Sequence, residues 1–121
     1  VWQKSHHLVL KVYKITKDFP KEEKFGLVSQ MRRAVVSIAA NIAEGFRKRG
    51  TRDKINFYNI AQGSSDELKY YFILAEDLGY LTSTKEEICK QIDEVGKMLS
   101  GLIASIKNIS PPNPSLLATH Y

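Results

Sequence analysis

The 121 residues suit one domain with a hydrophobic core of its own, and 43% hydrophobic against 26% charged side chains is the balance of an ordinary soluble chain. No apolar run approaches the ~18 residues of a membrane span, no secretory signal is visible, and a start at Val1 rather than methionine leaves room for preceding residues. A single cysteine, Cys89, excludes an internal disulfide and most zinc sites and fits a reducing compartment, with the cytoplasm as the default.

The net charge of +5 is unevenly placed. Residues 1 to 60 carry 13 Lys and Arg against 5 Asp and Glu, and residues 61 to 121 carry 5 against 8, so the halves stand at +8 and −3. A basic half attracts polyanions such as nucleic acid; equally, a basic and an acidic half attract each other.

Helical periodicity covers most of the chain, and strand signals are almost absent. A first helix is expected from about Trp2 to Asp18, with Ser5, Leu8, Val12 and Ile15 in line, Trp2, Val9 and Tyr13 flanking them, and Phe19 at its end. Pro20 stops it, because the residue before a proline is pushed out of the α region.

After the turn Lys21 to Gly26, a second helix reads to about Gly45, a natural C-terminal stop. It carries two stripes. Val28, Met31, Val35, Ile38 and Ile42 form the apolar one; Gln30, Arg33, Ser37, Asn41 and Glu44 form a polar one roughly 140° around the helix. A solvated face needs only to be polar, whereas this one is built from short and amide side chains beside Ala34 and Ala40, which permit close helix approach. The stripe therefore predicts contact with another helix or another subunit, and Arg33 or Glu44 buried there needs a partner.

The turn that follows holds Arg47, Lys48, Arg49, Arg52 and Lys54. Arg47 and Lys48 complement the negative end of helix two. As a group the five form a candidate phosphate-contacting patch, with Arg32 and Arg33 one or more turns away; no base-stacking aromatic stands out beside it, so binding there is expected to be electrostatic and weakly sequence-specific. The bland alternative is a solvated loop.

A third helix starts near Thr51 as N-cap with Asp53 in its first turn, buries Phe57, Tyr58, Ala61, Ser65, Leu68, Phe72, Ala75 and Leu78, and stops at Gly79. Gly63, followed by Ser64, Ser65, Asp66 and Glu67, costs about 1 kcal/mol in mid-helix, which a closely approaching neighbour would explain. A fourth helix begins after Thr84, an N-cap candidate, with Glu86 and Glu87 in its first turn; Ile88, Ile92, Val95, Leu99, Leu102 and Ile106 give a heptad-like stripe. From Ser110 the segment SPPNPSLLATHY has no helical period and is expected to be extended or disordered. The fold class expected is all-α: an antiparallel up-down-up-down four-helix bundle over residues 1–109, followed by a Pro-rich tail over 110–121.

No catalytic or metal constellation emerges. Di-iron bundles need inward glutamates with Glu-x-x-His pairs, yet none of His6, His7 and His120 follows a glutamate at that spacing, and His6 and His7 point about 100° apart. An arginine followed four to six residues on by histidine, the pattern of one kind of helical ribonuclease, is missing as well. Cys89 lies beside the apolar stripe of helix four and reads as a half-buried inert thiol. No enzyme activity, cofactor or metal is expected.

Trp2, Leu8 and Tyr13, Phe19-Pro20, Glu23, Gly26-Leu27, then Gln30, Arg33, Ser37, Asn41-Ile42 and Glu44-Gly45, and finally Gly63-Ser64 with Glu67-Leu68 form a series that resembles the family of 23S rRNA intervening-sequence proteins, encoded within insertions in bacterial 23S rRNA genes and elsewhere in bacterial genomes. The resemblance spans about residues 1 to 107 and implies a compact bundle that assembles into a homopentameric, barrel-like ring. It also implies similarity to the accessory variability determinant of diversity-generating retroelements, a pentameric bundle that binds nucleic acid and a reverse transcriptase. A head-to-tail contact between basic and acidic halves is compatible with such a ring. The expected function is thus a non-enzymatic bacterial oligomer that binds RNA or DNA through Arg47, Lys48, Arg49, Arg52 and Lys54, with Gln30, Arg33, Ser37, Asn41, Glu44 and Glu67 in subunit or helix contact. The alternative is an adaptor that docks a protein such as a reverse transcriptase.

Overall fold

The computed structural model describes residues 1–83 and 85–109; the proposed cap at Thr84 and the tail from Ser110 lie outside the described residues. Four helices follow one another: α1 (Trp2–Thr16), α2 (Leu27–Arg47), α3 (Thr51–Asp77) and α4 (Glu86–Ile109), with one 3₁₀ turn at Lys21–Glu23. Pairs across the seams fix their directions. Lys4 bonds Glu94 and Lys11 bonds Glu87, so numbering rises along α1 as it falls along α4. Gln62 with Ser100 and Lys69 with Asp93 do the same for α3 and α4. The bundle is antiparallel, and no described helix is long and apolar enough to cross a membrane.

The core is the convergence of one stripe from each helix: Leu8 and Val12, Met31, Val35 and Ile38, Leu68 and Phe72, Ile92, Val95 and Leu99. On α1 the structure departs from the expected stripe, since Thr16 is buried where Ile15 is only half-buried. Thr16 lies roughly 20° around the helix from Ser5 and Ile15 roughly 80°, so the threonine faces the bundle axis. Its hydroxyl donates to the Val12 carbonyl (2.8 Å) and accepts from Arg32 Nε (3.0 Å), which removes the penalty of burial. The helix stops there, two residues short of Asp18, and Phe19 tucks into the core.

Carboxylates from elsewhere in the chain serve the helix starts. At the head of α2 the N-cap is Gly26, which has no side chain to offer; Glu23 Oε1 accepts the Leu27 N–H instead (3.2 Å), and Oε2 accepts the Tyr80 hydroxyl (2.8 Å). A Cβ on Gly26 would lie 2.8 Å from that Oε1, so a side chain there would displace the cap. The turn between α1 and α2 is thereby fastened to the turn between α3 and α4, and the Tyr80 phenol is raised by its bond to Glu23. α3 ends as expected at Gly79: φ is +75°, Tyr80 N–H reaches the Ala75 carbonyl and Gly79 N–H the Glu76 carbonyl, a Schellman closure.

Just ahead of α4, Glu76 accepts both the Lys85 backbone N–H and the Lys85 ammonium, each at 3.1 Å. Those two bonds hold the Glu76 carboxyl below its usual range. A carboxyl lowered on folding stabilises above its unfolded value and ceases to as pH falls through the lowered one. Glu76→Gln should therefore melt below the native chain at neutral pH, and the gap should close on acidification through that region. A gap independent of pH in thermal melts would show that the charge contributes nothing.

Candidate nucleic-acid interface

Two of the sequence-derived groups meet along the α2–α3 hairpin. In the polar stripe, Ser37 Oγ bonds Ser64 Oγ at 2.7 Å across the seam, and Asn41 Nδ2 donates back to the Ser37 carbonyl (2.8 Å) and hydroxyl (3.0 Å). Nearer the head of α2, Gln30, Arg33 and Glu67 line a shallow cleft of about 310 Å³ with Ser64 and Tyr71. No ion pair engages Arg33 or Glu67 among the described residues, although they have opposite charges and border one cleft. Glu44, at the far end of the stripe, lies 3.9 Å from Arg47 and 3.8 Å from Lys48. The stripe thus divides into a helix contact at Ser37, a cleft bordered by Arg33 and Glu67, and an acid at the basic turn.

Two glycines behave differently from the sequence reading. Gly45 does not stop α2, which runs on to Arg47; it is buried inside the helix, and a Cβ there would lie 2.6 Å from Cε1 of the Tyr58 ring. Burial pushes the Tyr58 phenol up. The tight approach anticipated at Gly63 is instead at Gly45: an added Cβ at Gly63 meets nothing within 4 Å. Gly63 lies on the exposed side of α3, between Ile60 (50% exposed) and Tyr70 (57% exposed).

At the α2–α3 corner, Gly50 rather than Thr51 is the N-cap of α3, and Asp53 sits in the first turn as expected. Phe57 is half-buried and Leu78 exposed, so the inner face of α3 is Tyr58, Ala61, Ser64, Ser65, Leu68, Phe72 and Ala75. The five cations of the corner are not equivalent. Lys54 Nζ donates to the carbonyls of Gly45 (3.0 Å) and Phe46 (2.9 Å), capping the negative end of α2. Lys48 lies over the Phe57 ring, 5.2 Å from its centroid. Arg47 has only its loose approach to Glu44, and among the described residues neither an ion pair nor a hydrogen bond engages Arg49 or Arg52.

Phe46 is what the sequence reading missed. It is 78% exposed in the middle of this cluster, with the Lys54 ammonium 5.7 Å from its ring centroid. Helical period places Phe46 on the azimuth of Val28, at the edge of the apolar stripe, so nothing local marked it as exposed.

The charge asymmetry resolves partly within the chain, since basic α1 pairs with acidic α4 through Lys4–Glu94 and Lys11–Glu87. His6 is exposed and stacks on Trp2, with His7 exposed beside it. Cys89 is half-buried, and burial raises its thiol, which keeps it protonated and a weak nucleophile. Among the described residues no three His, Cys, Asp or Glu side chains converge as a metal set would.

Residues 1–101 match the sequence profile of the 23S rRNA-intervening sequence protein family. The chain belongs to that family. Among solved structures, the intervening-sequence chain is similar to a protein of unknown function from the S23 ribosomal protein family of Bacteroides thetaiotaomicron VPI-5482, at 30% identity and a TM-score of 0.78, covering 85% of this chain and 94% of that one. No curated protein matches it.

Proposed function

We propose that this family member is a non-enzymatic cytoplasmic oligomer, five copies in a ring, that binds RNA or DNA through the basic α2–α3 corner. One observation carries the reading. The segment from Glu44 to Lys54 gathers five cations against two acids, and within it Arg49 and Arg52 have no acid partner among the described residues. Uncompensated arginines on an exposed corner are the electrostatic footprint of a phosphate-binding surface.

The outer face of α3 and the cleft beside it support the assembly half of the proposal. Ile60, Gly63, Glu67 and Tyr70 follow at three- and four-residue steps, two large side chains around a glycine gap, and Arg33, with no ion pair among the described residues, borders the same cleft as Glu67. Repeating a weak corner around a ring raises its effective affinity without a new contact. The same row also suits docking of a different protein, such as a reverse transcriptase, which predicts tight partner binding with negligible affinity for naked nucleic acid.

Changing Arg47, Arg49 and Arg52 together to alanine should weaken binding of a labelled single-stranded RNA by about 100-fold at low salt. For the native chain, log affinity should fall against log salt with a slope near 0.7 per phosphate contacted. An affinity indifferent to salt, or a triple variant that binds like the native chain, removes this function. Light scattering without RNA reads the assembly separately, and a monomer at micromolar concentration removes the ring.

A further inference from the structure

The corner holds an aromatic ring where charge alone would need none. Phe46 is 78% exposed, and its neighbour Gly45 is pinned inward against Tyr58, so rotation of the helix cannot bury the ring without breaking that contact. One cation is set beside it: the Lys54 ammonium is held by the Gly45 and Phe46 carbonyls and stands 5.7 Å from the ring centroid. Lys48 is likewise positioned over Phe57, which is half-buried and offers less open surface. The two lysines are thus set beside rings, and Arg47, Arg49 and Arg52, with planar guanidinium groups suited to phosphate, follow the open aromatic face within six residues of the chain.

An exposed ring next to arginines in the same turn has the parts of a stacking platform for an unpaired base. Stacked bases in a duplex have no free face to offer, so such a platform favours single strands, and because every base has a π face it does so with little regard to sequence.

A second exposed ring gives the contrast. Phe25, at the opposite end of α2, is 89% exposed and has Lys24 5.5 Å from its centroid. Around it Glu22 and Glu23 offset Lys21 and Lys24, Arg32 is committed to α1 through Thr16 Oγ1 and the Tyr13 carbonyl, and Arg33 is the one further guanidinium on the same pocket wall. The segment from Glu44 to Lys54 holds five cations against two acids. Exposure alone does not distinguish the rings; the charge around them does.

We infer that Phe46 stacks on an unpaired nucleobase, making the corner a single-strand site in which Arg47, Arg49 and Arg52 hold the flanking phosphates. This rests on the nucleic-acid reading above and adds what that reading lacks, the kind of nucleic acid and a non-ionic contact.

The test uses the full chain and three fluorescein-labelled probes of equal length: an oligouridylate, the same backbone without bases, and a duplex. The native chain should prefer oligouridylate to the abasic strand by about tenfold or more, the usual worth of a stacked base. F46A should erase that preference and leave the salt slope unchanged, F46Y should restore it, and F25A should leave it intact. The inference is overturned, with the charged corner still standing, if the native chain holds the abasic strand or the duplex as tightly as oligouridylate. It is equally overturned if F46A binds like the native chain, if F25A loses as much as F46A, or if light scattering shows that F46A dissociates the assembly. Failure of the native chain to bind any probe at low salt sinks both readings.

Discussion

Gly45→Val is expected to lower the unfolding free energy by about 3 kcal/mol, while Gly63→Ala should raise it by about 1 kcal/mol. Both glycines sit inside helices and both carry the same propensity cost, so the difference in sign comes from the neighbour. At Gly45 even the first carbon of a side chain would lie 2.6 Å from Tyr58 Cε1 and 2.9 Å from Cδ1. The Tyr58 ring is buried and cannot swing into solvent, so the corner between α2 and α3 has to open, and Lys54 would lose its seat on the α2 carbonyls. At Gly63 a methyl meets open space, and alanine simply restricts the unfolded chain and favours the helix. Urea denaturation reads both changes as shifts in midpoint at constant slope. A Gly45→Val chain as stable as the native one would show that the corner is not packed as described. The proposed seam adds a second readout at Gly63: the methyl that stabilises the single chain should weaken copy-to-copy contact, lowering the mass seen by light scattering.

What could be read from the sequence follows from range. The stripe of α2, and that of α4 as far as Leu99, were legible because burial there obeys one local period, and Gly79 because a left-handed stop is decided within six residues; beyond Leu99 the structure buries Ile103, leaving the expected Leu102 and Ile106 half-buried. Thr16 was misjudged because a hydroxyl counts as polar until its bond to the Val12 carbonyl is known. Gly45 looked like a terminus because the ring that demands it lies on the next helix, 13 positions away. Glu23 was legible as part of a family pattern, but its capping of α2 and its hold on Tyr80 join residues too distant for any local rule. The basic corner shows the same limit. Its charge was plain from composition, but the commitment of Lys54 to helix carbonyls, which sets it apart from Arg49 and Arg52, depends on how the turn closes.

Phe72→Ala should cost about 3–5 kcal/mol, as much as Gly45→Val or more, and it bears on what holds α1 to the bundle. The ring is fully buried on α3 and lies beneath the α1–α4 groove, bordered by Ile15 of α1 and Ile88 of α4. Directly above, Lys11 bonds Glu87 at 3.0 Å, and further along Lys4 bonds Glu94, so the groove looks at first like an electrostatic seam. The magnitudes argue otherwise. The Glu87 side chain is 76% exposed, and an ion pair so wetted contributes about 0–1 kcal/mol, less in salt. Truncating Phe72 removes six ring carbons' worth of packing and leaves a void that the core, close-packed around Val12, Leu68 and Ile92, cannot fully refill. Lys11→Ala and Glu87→Ala, singly and together, should therefore shift the urea midpoint far less than Phe72→Ala, and raising the salt concentration should barely move the native midpoint. Should the Lys11–Glu87 double-mutant cycle return a coupling comparable to the loss at Phe72, charge and not burial would be what seats α1, and the opposition of basic and acidic halves would be a folding device before it is anything else.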